Sequence, residues 1–155
     1  MTLLAIGILG CGNISDAYLR GAARSDLVAV KGVADLRQDV ATAKASAYGT
    51  TAMSVDALLD DTAIALIVNQ TVPAAHGEMN ERILKAGKHA YTEKPFAITF
   101  AEAQKTMATA DEMGLRVGCA PDTFLGAGHQ MVRRLIDAGR IGTVTGAAAT
   151  FANPG

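Results

Sequence analysis

Three short stretches of this 155-residue sequence hold residues whose types and spacing could do chemistry. The first is Gly10-Cys11-Gly12-Asn13-Ile14-Ser15, a G-x-G-x-x-S turn. Gly10 permits a tight turn, and Gly12 lacks a Cβ, so a diphosphate can approach the backbone. A helix opening here would add free N–H groups and a partial positive charge. Ser15 is small enough to let that helix sit close on a strand. The second stretch runs from Asn69 to His76. The third is Glu93-Lys94-Pro95. Lys94 offers a cation that could polarise a carbonyl or hydroxyl and pass a proton. Glu93 could bond a ribose or hold Lys94. The pair also suits a solvated surface before a turn proline, and spacing alone favours that plainer reading.

The surrounding pattern must position these stretches. Short apolar runs predict strands over 3–9, 27–34, 51–53, 63–68, 88–92 and 115–120. Amphipathic runs predict helices over 13–24, 37–48, 54–59, 74–86 and 99–113. Ser54 is placed to cap one of them, and Thr99 with Glu102 reads as a capping box for another. A further helix over 127–138 and a strand over 143–151 follow. Strands alternating with helices argue for an α/β chain, a doubly wound parallel sheet of the Rossmann type. The turn then follows the first strand and opens the first helix, which is the context a dinucleotide site requires. Asp35 ends the second strand, at the position where a carboxylate accepts bonds from a ribose 2′-OH. It would repel a 2′-phosphate, whereas Arg37, two residues on, could bind one. NAD is therefore the expected cofactor, with NADP open. Ligands of such sheets bind beyond the carboxyl ends of the strands, where both later stretches fall.

Composition excludes several classes. Lys and Arg number 14 against 15 Asp and Glu, a net charge of −1, so the basic surplus of a phosphate-contacting nucleic-acid binder is missing. Apolar residues make up 50% and charged residues 19%, which excludes a disordered chain. No apolar run approaches the about 20 residues of a membrane span, and residues 1–10 lack the basic region of a secretory signal. A cytoplasmic protein is expected. Cys11 and Cys119 suit small buried residues of a reducing compartment, and no His, Cys or carboxylate cluster has metal-ligand spacing. A helix N-terminus could activate Cys11, although a small inert residue is the expectation. His89 reads as packed or rim-exposed, and His129 as a surface residue.

Taken together, G-C-G-N-I-S, Ala34-Asp35, T-x-P-x-x-H at Thr71 to His76 and G-K-H-x-x-x-E-K-P at Gly87 to Pro95 resemble the Gfo/Idh/MocA oxidoreductases. These are the glucose–fructose oxidoreductase and inositol dehydrogenase relatives. Residues 120–128 and 135–142 resemble them as well, so the likeness runs through nearly the whole chain. It implies a Rossmann domain that binds NAD or NADP through Gly10, Gly12, Asn13, Ile14, Asp35 and Arg37. It implies that Lys94 is the active-site lysine, contacting the substrate hydroxyl and the nicotinamide ribose. It implies that Lys94–Pro95 is often cis, that Asn69, Thr71, Pro73 and His76 line the cofactor groove, and that Glu93 meets the nicotinamide-side ribose. The reaction implied is hydride transfer between nicotinamide and a sugar, inositol or related polyol.

Members of that family usually run to more than twice this length, with a second domain that covers the nicotinamide and forms oligomers. Residues 1–120 are accordingly expected to form the cofactor domain. Residues 121–155 would form a connecting helix and the first strand of an incomplete α+β substrate and oligomerisation domain, so that the chain is a fragment, inactive alone. The full-length form would be a homo-oligomer, a dimer or tetramer. An alternative is a non-catalytic dinucleotide-binding or sensing module acting through a partner.

Overall fold

The computed structural model describes residues 3–121, 123–150 and 152. The chain divides into two units, residues 1–120 and 121–155. In the first unit the elements follow in the order β1 (Leu4–Leu9), α1 (Ser15–Ala22), β2 (Val28–Ala34), α2 (Gln38–Tyr48), β3 (Thr51–Met53) and α3 (Val55–Asp60). Then come β4 (Leu66–Asn69), a 3-10 turn (Pro73–Ala75), α4 (His76–Lys85), β5 (His89–Thr92), α5 (Phe100–Glu112) and β6 (Val117–Cys119). The six strands form one sheet in the order β3-β2-β1-β4-β5-β6, and every neighbouring pair is parallel. This is the doubly wound sheet that the alternation of strands and helices predicts.

The strands read as continuous apolar runs because helices cover both faces. Ile8, Val33 and Val68 pack with Leu19, Ala41 and Ala45, under α1 and α2. Leu9, Ile67 and Ala90 pack with Leu58, Ile83 and Leu84, under α3 and α4. Ile8, Ile67, Leu58 and Ile83 are wholly buried, and each such side chain stabilises the fold by about 1.5–3 kcal/mol. The expected caps form. The Ser54 hydroxyl accepts from Ala57 N at 3.1 Å. Thr99 Oγ1 accepts from Glu102 N at 3.2 Å, while Glu102 Oε2 accepts from Thr99 N at 3.3 Å. The box starts α5 just after the Glu93-Lys94-Pro95 stretch and so fixes where that loop ends.

Helices α4 and α5 are tied by Glu81, a buried carboxylate on α4. It faces Lys105 of α5 at 2.9 Å and Lys85 of its own helix at 3.4 Å. Burial pushes its carboxyl up, but the Lys105 bond and charge, helped by Lys85, hold it below the ordinary range. A group with a depressed folded value stabilises the fold above its unfolded value and loses that contribution as the pH falls through the folded one. Thermal melts between pH 3 and 6 are expected to show the wild-type Tm falling faster than that of Glu81→Gln below about pH 4.3. Parallel curves would deny the clamp.

The second unit holds a 3-10 turn (Thr123–Leu125) and α6 (Ala127–Asp137). Gln130 Nε2 donates to Phe124 O at 2.8 Å, and Arg133 pairs with Asp137 at 2.6 Å along the helix. The strand expected over 143–151 does not form among the described residues: 143–150 carry no strand, and Phe151 lies outside them. An extended segment becomes a strand only when a neighbour pairs with it, and no described strand offers 143–150 a ladder. Sequence propensity cannot supply that partner.

Candidate functional site

Strand register assembles the site. Leu9 pairs with Ala34 on one side and Asn69 on the other, Asn69 pairs with Thr92, and Thr92 with Cys119. The residues that follow leave the sheet at one level. Gly10 N donates to Ala34 O at 2.8 Å, Gln70 N to Leu9 O at 2.7 Å, and Glu93 N to Asn69 O at 2.9 Å. The sheet reverses direction of travel at β1, which has β2 on one side and β4 on the other, and such a switch point opens a crevice at the carboxyl edge.

The glycine turn sits at that point. Gly10 has φ +98°, and a Cβ there would lie 2.5 Å from Gln70 O, so no other residue fits. Gly12 is the opposite case: a Cβ would meet nothing within 4 Å. No contact within the protein requires its bareness. Ser15 is fully buried, and its hydroxyl donates back to Gly12 O at 2.6 Å, holding the turn against α1. No side chain caps α1. The N–H groups of Gly12, Asn13 and Ile14 donate to no described residue. Three unused backbone donors beside an open glycine are the donor set a diphosphate needs, so the residues present fit a dinucleotide.

Asp35 is held from two sides. Its Oδ2 accepts from Cys11 N at 2.8 Å and its Oδ1 from Arg37 N at 2.9 Å. The carboxylate thus braces the turn while keeping lone pairs for a further donor. Arg37 lies beside it, exposed. Cys11 is buried, and its thiol is pushed up to about 11, by burial first and by the Asp35 charge second, with Lys44 opposing. The thiol is thus protonated at neutral pH, in keeping with the small inert residue expected.

Two of the expected groove residues face inward. Asn69 is wholly buried and uses every polar atom: Nδ2 donates to Asn80 Oδ1 at 2.9 Å and to His76 O at 3.3 Å, and Oδ1 accepts from Thr71 Oγ1 at 2.7 Å and Thr71 N at 3.2 Å. The ring nitrogens of His76 lie against the carbonyls of Pro95 and Thr71. These side chains brace rather than line. Strand alternation turns Asn69 toward α4, and His76 ties the loop after β4 to the loop after β5. Thr71 joins the same network, and Pro73 stays exposed at the start of the 3-10 turn. Asn80 completes the network, with Nδ2 reaching Phe96 O at 3.5 Å. The sequence reading passed over it, although its place four residues after His76 on one helix face was a usable signal.

In the last stretch Glu93 meets two donors of the protein. Glu93 Oε1 accepts from the Tyr18 hydroxyl at 2.7 Å, and Oε2 from the backbone N of Lys94 at 3.1 Å. The Lys94 ammonium makes no ion pair with a described residue and is exposed, and the Lys94–Pro95 bond is cis. Glu93 therefore orients the loop through Tyr18 and leaves the cation unspent. No local signal marked Tyr18, since helix α1 meets Glu93 only in the folded sheet. His89, partly buried, accepts from Arg116 N at 3.1 Å, and His129 is exposed.

Known proteins resemble this chain in sequence and fold. The Gfo/Idh/MocA family model, described as an oxidoreductase family with an NAD-binding Rossmann fold, matches residues 4–120. A dTDP-3,4-didehydro-2,6-dideoxy-alpha-D-glucose 3-reductase of Streptomyces violaceoruber is 33% identical over 156 residues, covering 97% of this chain and 45% of the relative. A crystal structure of a 3-ketoreductase from Actinomadura kijaniata with NADP and TDP-benzene superposes with a TM-score of 0.81 at 27% identity, over 89% of this chain and 43% of that one. The WlbA dehydrogenase from Bordetella pertussis, crystallised with NADH and UDP-GlcNAcA, superposes with a TM-score of 0.85 at 25% identity, over 90% of this chain and 41% of that one. The chain thus spans less than half the length of these relatives. With the glycine turn, the open donors and the sheet order in place, and with residues 4–120 matched, the chain belongs to the Gfo/Idh/MocA oxidoreductases and carries their NAD-binding Rossmann fold.

Proposed function

We propose that this chain binds NAD in preference to NADP, and that the protein it serves transfers a hydride between nicotinamide and the secondary alcohol or carbonyl carbon of a sugar, inositol or related polyol. The observation that carries this reading is Lys94: a cation without an ion-pair partner among the described residues, on a loop braced by Glu93, Tyr18 and His76, at the same sheet edge as the open glycine turn. The backbone N–H groups of Gly12, Asn13 and Ile14 hold the diphosphate. Asp35 accepts from the adenosine ribose, with Arg37 beside it. Lys94 Nζ hydrogen-bonds the oxygen of the reacting carbon and moves its proton as the C–O bond order changes. A bound nicotinamide supplies the two-electron hydride chemistry. Residues 1–120 form the cofactor domain. Substrate contacts and oligomer contacts, in a dimer or tetramer, come from beyond it, so the 155-residue chain alone binds cofactor with little or no turnover.

The test is a titration of the purified chain with NADH and with NADPH, followed by nicotinamide fluorescence. NADH is expected to bind at least about tenfold more tightly, a difference of about 1.4 kcal/mol. Tighter NADPH binding would assign the ribose site to Arg37. Robust polyol oxidation by this chain alone would contradict the division of labour.

A further inference from the structure

Gln70 buries both atoms of its side-chain amide with no hydrogen-bond partner among the described residues. The residue is 7% exposed. An unpaired buried amide costs stability, and a leucine or methionine of similar size would fill the place without that cost. Its position gives the amide a use. Gln70 follows β4 directly, and its backbone abuts the glycine turn, where a Cβ on Gly10 would strike Gln70 O at 2.5 Å. Val68 packs with Cys11 and Leu19 on the α1 side of the sheet, whereas Asn69 turns to Asn80 on α4. Gln70 follows the last residue of β4, and its N–H still donates to Leu9 O at 2.7 Å, so the residue stays buried against the end of β1, where the turn begins. Across the sheet edge, Asp35 ends β2, the turn follows β1, Gln70 follows β4 and Glu93 follows β5. Gln70 thus lies between the diphosphate donors and the reacting end, on the side away from Asp35.

We propose that Gln70 takes its hydrogen-bond partners from the nicotinamide half of the bound dinucleotide, its ribose hydroxyls or its carboxamide, and that the amide turns from its shielded position to do so. This inference rests on the dinucleotide reading above. Nε2 donates and Oε1 accepts, which suits a ribose hydroxyl or a carboxamide, each both donor and acceptor. The chain without dinucleotide bears the cost of the unpaired amide, and binding relieves it.

Gln70→Leu and Gln70→Met test this, read by thermal melts without ligand and by titration with NADH and with ADP. ADP carries the adenosine and diphosphate groups but no nicotinamide half. Both variants are expected to melt about 2–4 °C above wild type. Their NADH dissociation constants are expected to rise about fivefold or more, while that for ADP stays at the wild-type value. Unchanged NADH binding in both variants overturns the proposal, since the amide then serves no ligand. A lower Tm in both overturns it too, because the amide would already be satisfied inside the protein. Equal weakening of ADP and NADH would place its action on the diphosphate and overturn the assignment to the nicotinamide half. Wild-type protein that binds neither ligand removes the dinucleotide reading itself and the proposal with it, a result distinct from wild-type binding with indifferent variants.

Discussion

Gly12→Val is expected to leave the chain folded and to abolish dinucleotide binding, whereas Gly10→Ala, two residues away in the same turn, is expected to lower its melting temperature sharply. The two glycines are there for different reasons. At Gly12 an added Cβ meets nothing within 4 Å, so the folded chain has room for it. The side chain would instead occupy the space in front of the free N–H groups of Gly12, Asn13 and Ile14. Hydrogen bonds to a charged oxygen contribute about 1.5–3 kcal/mol each. Losing two of them raises the NADH dissociation constant by about two orders of magnitude or more. At Gly10 the backbone has φ +98° and a Cβ would lie 2.5 Å from a backbone oxygen. Left-handed strain and overpacking cost about 1–3 kcal/mol each, a large share of a total stability of about 5–15 kcal/mol. Melting and NADH titration of the two variants separate these effects. A Gly12→Val protein that binds NADH normally would show that the turn does not receive the diphosphate.

Lys94→Ala is the second large effect. In the protein that carries this segment, assayed with its sugar or polyol substrate, turnover is expected to fall by about 10²–10⁴-fold, the range of a lost proton-transferring group. Because Lys94 is exposed and its ammonium has no ion pair among the described residues, stability should stay within about 0.5 kcal/mol of wild type. NADH binding should change little, since the free donors and Asp35 are untouched. Turnover retained in Lys94→Ala would remove the lysine from the chemistry and leave Glu93, Tyr18 and Lys94 as a structural corner.

Neighbouring residues encode the elements and the order in which they follow. Apolar runs covered on both faces made β1, β2 and β4 legible, and Ser54 and the Thr99–Glu102 box marked helix starts at the residues where the structure has them. They also encode the start of α1 at the turn, because Ser15 acts through Gly12, three residues away. The E-K-P stretch was legible only through resemblance, since a Glu–Lys pair before a proline is common on surfaces.

What those residues meet depends on the folded sheet. Register across β1, β4 and β5 places Gln70 and Glu93 beside the turn, and no local pattern encodes a register between strands dozens of residues apart. The same pairing brings the Tyr18 hydroxyl to Glu93 and turns Asn69 and His76 into braces, because their partners lie on other elements. Residues 143–150 carry no strand for the same reason in reverse. They have strand propensity, but a strand exists only when another backbone supplies its hydrogen bonds, and no described strand pairs with 143–150. Local propensity and short-range turns are written in neighbouring residues; pairing, burial and the partners of a charge depend on contacts that only the folded sheet creates.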